Sequence, residues 1–382
     1  MFLNGILLLI GVCNYIDIIY LDYRKAFNTV PYRRLLFKIN GLGFRGNALR
    51  LIENYLTNRQ QRVKVNNAFS SFINVKSGVP QGSILGPTLF ILYVNDLSSC
   101  IKFSQLSAYA DDSKIYLALP RGCSNLNLQV DIDNIYNWSK MWGLDISYGK
   151  CKVLHLGFSN PFKQYYINNF TIESVNHIRD LGITISNNLK FDIHINSIIK
   201  CAYYKINLIL RNFVIKDPII LNRLYILYVR PTLTYLAEVW NPRNILLIEK
   251  IERVQYFFTK RICPNVPSYS DRLKFLNLDS LELLRLKNDL IIAFKIIKGF
   301  SILEFNDYFS LSNLDFTRGN DLKLNFPRTN KSLTQQDFFF RIVPVWNSLP
   351  NSLVNLSTVN SFKKHLKEYD SHLNKFLINR LI

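Results

Sequence analysis

Asp111 and Asp112 stand side by side between two short runs of apolar and aromatic residues, 106–110 and 114–117. The alternation in those runs predicts two strands, with Asp111-Asp112-Ser113 as the turn between them. Two adjacent carboxylates at a hairpin tip repel each other unless water or a cation relieves the charge. A plain surface turn accounts for the dipeptide taken alone, because Asp is common in turns. A third carboxylate weighs against that reading. Asp22 closes the run Ile16-Asp17-Ile18-Ile19-Tyr20-Leu21-Asp22, whose β-branched and aromatic density predicts a buried strand. If the two strands are neighbours, three carboxylates converge at one sheet edge. Hard oxygen ligands of this kind suit Mg²⁺, and a pair of such ions clamps the attacking and leaving oxygens of a phosphoryl transfer.

The elements that must position these residues can be followed along the chain. After Asp22 the segment 23–30 turns, Pro31 suits a helix start, and residues 33–40 have helical spacing that stops at Gly41. A second helix is expected over 46–56, then a basic turn entering a strand over 58–65. Arg59, Arg62 and Lys64 could face phosphates there, or simply line a solvated strand. Ser77-Gly78-Val79-Pro80-Gln81-Gly82-Ser83-Ile84-Leu85-Gly86-Pro87 is a defined loop, and Pro87 suits the first position of the helix it feeds, which runs to about Leu97. That helix is apolar nearly all round and so is expected to be buried. A glycine-rich loop before a helix N-terminus can approach an anion closely, although the Gly-Lys-Ser/Thr ending of a P-loop is missing. A helix over 125–141 with Leu128, Ile132, Ile135 and Trp138 on one side, a strand over 153–156 and a hairpin over 178–186 complete this half. From about Phe191 the pattern becomes long and helical: 193–211, 218–228, 245–261 and 281–298. A boundary is placed near 188. The tail from Phe300 is poorer in pattern, with a compact segment over 341–350.

Composition narrows the partners. The chain has 382 residues, 48% of them apolar and 14% aromatic, enough for two or three folded domains. Its 47 Lys+Arg against 27 Asp+Glu give a net charge of +20, which points to a polyanion: nucleic acid first, an acidic membrane surface second. The six cysteines show no Cys-x-x-Cys spacing, so zinc is not expected and a reducing, intracellular compartment (cytoplasm, nucleus or both) is. Residues 1–13 are apolar but lack a basic start and are too short to span a bilayer, so neither secretion nor a membrane partner is expected.

The ordered motifs closely resemble the reverse transcriptases of non-LTR, jockey-like retrotransposons. Tyr20-Leu21-Asp22-Tyr23-Arg24-Lys25-Ala26-Phe27-Asn28-Thr29-Val30 resembles the first palm motif, residues 78–87 the second and Tyr109-Ala110-Asp111-Asp112 the third. Trp142-Gly143-Leu144 through Lys150-Cys151-Lys152 resembles the fourth, and Leu181-Gly182 the primer grip. The likeness runs on through Leu227-Tyr228-Val229-Arg230-Pro231, Val239-Trp240-Asn241-Pro242, Ile251-Glu252 and Trp346-Asn347-Ser348-Leu349-Pro350. The resemblance implies an α+β fold: a right-hand polymerase palm over 1–187, a helical thumb and basic region over 188–299, and a C-terminal region over 300–382. It implies RNA-directed DNA synthesis on an RNA template and a DNA primer, with no specific protein partner. Asp22 and Asp111 would bind two Mg²⁺ ions, with Asp112 assisting. Phe27 would be the bulky gate that selects dNTPs, Gln81 and Gly82 would line the dNTP pocket, and Lys150 would be an acid near the leaving pyrophosphate.

Two departures accompany the resemblance. Asn28 stands where the family usually has Asp. Only 21 residues precede Asp22, so the fingers that grip the triphosphate are expected to be largely missing from an N-terminally truncated chain, which would leave apolar palm surface bare. A catalytically dead relic that keeps the fold and binds nucleic acid is the competing reading. A viral RNA polymerase is more distant, since that family places Asp where Phe27 stands and reads Gly-Asp-Asp.

Overall fold

The computed structural model of the chain describes residues 15–119, 126–157, 160–214, 217–312, 320–326 and 338–378. The expectation for residues 1–13 lies outside them. The chain divides into two compact units, with the division after Ile178.

The first unit is built on a five-stranded sheet whose strands lie in the order 173–175, 152–156, 15–21, 112–119 and 105–109. Its middle strand, β1 (Tyr15–Leu21), is antiparallel to β7 (Asp112–Leu119) on one side and to β8 (Lys152–Leu156) on the other. β6 (Gln105–Tyr109) forms a hairpin with β7, and β11 (Glu173–Val175) runs parallel to β8. Every residue of β1 except Tyr20 is buried, which is why this strand reads as an apolar run interrupted only by Asp17 rather than as an alternation. Ile19 and Leu21 join a core with Leu128, Ile132, Ile135 and Trp138 from the helix Leu126–Trp142, and with Leu89, Phe90 and Tyr93 from the helix Leu85–Val94. The helices Tyr32–Gly41 and Gly46–Leu56 complete the layer through Leu35, Ile39 and Leu56.

One core position of β1 is a carboxylate. Asp17 is fully buried, with His155 Nδ1 and Asn160 Nδ2 each 2.7 Å from Oδ1, and the Tyr165 hydroxyl donating to Oδ2 at 2.5 Å. Burial opposes its ionisation, but the donors from His155, Tyr165 and Asn160 outweigh that and hold the carboxyl below its usual range. The cluster ties β1 to β8 and to the segment after it.

Two expectations need correction here. The helix Leu85–Val94 is only half covered: Leu89, Phe90 and Tyr93 are buried, whereas Leu85 is 45% and Ile91 51% exposed. One face packs on the sheet-side core, and no described element of this unit covers the other. The helix also begins two residues before Pro87, which sits in the first turn, where the missing N–H costs no intrahelical bond.

The second unit is helical. Asp192–Asn212, Pro218–Leu224, Ile245–Ile262, Tyr269–Leu276 and Leu281–Ile297 follow the hairpin of β12 (His177–Asp180) and β13 (Ile183–Ser186). Glu252, fully buried, caps Leu281–Ile297: its carboxylate accepts from the Leu281 amide at 3.0 Å, the Glu282 amide at 3.3 Å and the Tyr269 hydroxyl. The tail is better organised than its pattern suggests. Helices Phe338–Asn347 and Val359–Leu366 close a second core in which Phe294 stacks on Phe362 with centroids 4.3 Å apart. No described helix is long and apolar enough to cross a membrane.

Candidate active site

The β1–β7 pairing runs to Leu21 opposite Ser113. Continued by one residue, the register sets Asp22 beside Asp112, with Asp111 at the adjoining turn. The hairpin is tighter than the alternation predicts. Tyr109 pairs with Asp112, so Asp112 and Ser113 belong to β7 and the turn is Ala110-Asp111. Ala110 carries φ of +54°, the left-handed region that a two-residue hairpin loop demands and that an alanine adopts only at a cost of about 1 kcal/mol. The turn is thus held by its flanking strands rather than by its own preference, which is common where a tip does chemistry.

Asp131, fully buried on the helix Leu126–Trp142, sets where that hairpin starts. Its carboxylate accepts from the amides of Lys102 (2.8 Å), Phe103 (3.0 Å) and Ser104 (2.7 Å) and from the Ser104 hydroxyl (2.7 Å). Burial raises its pKa, and these donors more than reverse the effect. Sequence reading missed Asp131, because nothing local to it marks its partners.

Asp22 follows β1 directly, and its carbonyl accepts from the Ser147 amide at 2.8 Å, which fixes it beside the segment carrying Lys150. Lys150 Nζ lies 3.5 Å from Asp22 Oδ1. That oxygen is buried and has no hydrogen-bond partner. Among the described residues no group of three or more His, Cys, Asp and Glu side chains is arranged to hold a metal ion. The donor set itself, a buried carboxylate oxygen with no hydrogen bond, Asp112 one register step away and Asp111 in the adjoining turn, fits a hard divalent ion.

The loop 77–86 is sewn to the turn Ala26–Thr29. The Gly78 amide donates to the Val30 carbonyl (2.9 Å), the Val79 amide to the Phe27 carbonyl (2.8 Å) and the Ser77 hydroxyl to the Asn28 carbonyl (2.8 Å). Gly78 has φ of +86°, and a Cβ there would stand 2.7 Å from the Asn28 backbone, so only glycine permits this approach. Gln81 Nε2 reaches Asn28 Oδ1 at 3.3 Å. Asn28 is therefore the joint between the two loops. Gly82 (φ +74°) is exposed with open space where a Cβ would be. Phe27 is half-buried and stacks on Phe90 with centroids 4.3 Å apart. Arg59 does not face outward: it donates to the Gly78 carbonyl and to the Tyr32 hydroxyl, each at 2.7 Å, and so braces the loop.

Comparison with known proteins bears on this arrangement. The family model for reverse transcriptase (RNA-dependent DNA polymerase) matches residues 14–185, from the start of β1 to β13. Those residues are a reverse transcriptase domain. The domain's relatives include the RNA-directed DNA polymerase from the mobile element jockey of Drosophila melanogaster, 30% identical over 193 residues, which are 47% of this chain and 20% of that protein. The jockey protein of Drosophila funebris is 27% identical over 261 residues, 64% of this chain and 28% of its own. The probable polymerase of the transposon X-element of Drosophila melanogaster is 29% identical over 195 residues, 48% of this chain and 21% of its own. The chain is thus homologous to non-LTR retrotransposon polymerases and spans well under a third of the length of these curated relatives. Among solved structures, telomerase from Candida tropicalis in complex with a TWJ fragment of telomeric RNA is 11% identical, covering 99% of this chain and 52% of its own, at a TM-score of 0.41. The reverse transcriptase domain thus covers the carboxylates, the 77–86 loop, Lys150 and the β12–β13 hairpin.

Proposed function

We propose that the chain is the polymerase portion of a non-LTR retrotransposon protein that extends a DNA primer on an RNA template. The observation that carries this reading is the register of β1 and β7, which brings Asp22 and the Asp111-Asp112 tip to the same end of adjacent strands. Two Mg²⁺ ions held by Asp22, Asp111 and Asp112 would neutralise the charge that gathers on the attacking and leaving oxygens.

In this reading the chain's own groups divide the remaining work. Lys150, 3.5 Å from Asp22, holds a proton at Nζ for the departing pyrophosphate. Gln81 and Gly82 form the wall of the dNTP pocket, with Gly82 leaving room for close approach. Phe27, braced by Phe90, excludes a ribose 2′-hydroxyl and so favours dNTPs.

The test is primer extension on poly(rA)/oligo(dT) with Mg²⁺, wild type beside Asp111→Ala. Wild type extends, and the variant loses about 100-fold or more, since a metal's charge stabilisation is worth several kcal/mol and each 1.4 kcal/mol is roughly tenfold. Extension that survives Asp111→Ala defeats the metal assignment. An inert wild type means that the chain keeps the fold without the activity.

A further inference from the structure

The ribbon between the first helices and the 77–86 loop is unlike anything else in the first unit. β2 (Gln60–Gln61) pairs with β5 (Ile73–Asn74), and β3 (Lys64–Val65) pairs with β4 (Ala68–Phe69), making one long two-stranded projection. Every residue from Gln60 to Asn74 is exposed. Gln61 pairs with Ile73, and the Ser70 amide donates to the Val63 carbonyl, so Ser71 and Phe72 together oppose Arg62. That is a β-bulge, and it shifts the side-chain parity of the returning strand. Its consequence is that Phe69 and Phe72 share the face of Arg62 and Lys64. The Arg62 guanidinium carbon lies 4.1 Å from the Phe69 ring centroid and 4.7 Å from that of Phe72, and Lys64 Nζ lies 5.3 Å from Phe69.

Phe69 is 51% and Phe72 59% exposed. Two phenylalanines held in water around a guanidinium are an unfavourable surface unless something covers them. The charge around them says what. From Tyr23 to Asn95 the chain carries eleven Lys or Arg and a single acid, Glu53. Among the described residues Arg62 and Lys64 have no carboxylate partner.

We infer that this ribbon face binds unpaired RNA: bases stack on Phe69 and Phe72, and Arg62 and Lys64 meet the phosphates beside them. Base–aromatic stacking combined with backbone cations is the chemistry of sequence-tolerant single-strand binding. A protein partner would need acidic groups to match this face, whereas a nucleic acid brings its charge at every residue. The inference rests on the reverse transcriptase reading, since the RNA is the template strand.

The experiment is anisotropy of the full chain with a labelled unpaired poly(rA) oligonucleotide, comparing wild type, Phe69→Ala/Phe72→Ala and Arg62→Gln/Lys64→Gln. Circular dichroism confirms that each variant is folded, which is expected because all four side chains are exposed. The aromatic pair weakens binding by on the order of tenfold or more. The basic pair weakens it at low salt and flattens the salt dependence, by about 0.7 in slope for each phosphate that is no longer neutralised. Unchanged affinity in both variants overturns the inference, and so does a change of oligomeric state with RNA affinity intact, which makes the face a protein-binding surface. Primer extension by the same preparations separates the two claims. Weakened RNA binding with an inert wild type leaves the ribbon assignment standing and removes the polymerase. Normal extension with unchanged RNA affinity does the reverse.

Discussion

At the scale of single residues, Lys150 is more exposed than the Asp22 it faces, and its geometry makes its role separable. Its Nζ sits 3.5 Å from Asp22, in a pair open enough to water to add little stability. Lys150→Ala should therefore fold normally while lowering the maximal extension rate about 100-fold, the smaller end of what a positioned proton donor contributes. Pre-steady-state extension at saturating dNTP checks this. An effect confined to the apparent dNTP affinity would make Lys150 a binding group instead. Asp22, Gln81 and Lys150 could be singled out in the sequence because each lies in a short local motif. Asn28 and Asp131 were not. Asn28 looks like a lost acid in sequence, whereas its backbone and side chain join the Gly78 and Gln81 loop about fifty positions later. No local signal encodes a pairing of that span.

At the scale of elements, periodicity located the long helices before residue 300, because their apolar faces repeat over several turns, and missed Tyr269–Leu276, Phe338–Asn347 and Val359–Leu366, which are only two to three turns long. It misjudged the site hairpin by two residues, because Asp112 and Ser113 have turn chemistry and are held in β7 by pairing with Tyr109 and Ala108. What places that hairpin is Asp131. Removing its carboxylate leaves three amides around it without a partner, and Asp131→Ala should cost about 2–4 kcal/mol in denaturant unfolding. Less than about 1 kcal/mol would mean that the strand entry is held by other groups. In the helical unit, His194 on Asp192–Asn212 is buried against Trp240, and its Nδ1 accepts from the Thr184 amide at 3.3 Å. Burial, and then the charge of Arg179, push its pKa down to about 4. A depressed histidine is neutral in the fold and charged when unfolded, so its contribution is complete above about pH 6.5. It is lost as pH falls toward 4, a change of at most about 3 kcal/mol. Unfolding midpoints of wild type and His194→Gln should converge over that window, and parallel pH profiles would show that another group carries the acid sensitivity.

At the scale of the whole molecule, the sequence revealed its charge but not where that charge lies free. Of the eleven cations between Tyr23 and Asn95, Lys38 is buried between aromatic rings with Asp96, and Arg59 is spent bracing the Gly78 loop. The other nine are exposed. Composition counts all eleven alike, and only the packing separates structural cations from available ones. A surface this poor in acids makes association with nucleic acid mainly a release of counterions, and that predicts a number. If four of the nine cations meet phosphates of a single strand, log K falls with log salt at a slope of about −3. Affinity for the unpaired oligonucleotide then drops roughly 50-fold between about 50 and 200 mM salt. Anisotropy titrations across that range measure the slope directly. A slope near zero would mean that the exposed cations are not used together, and the net charge of +20 would then describe solubility rather than a binding surface.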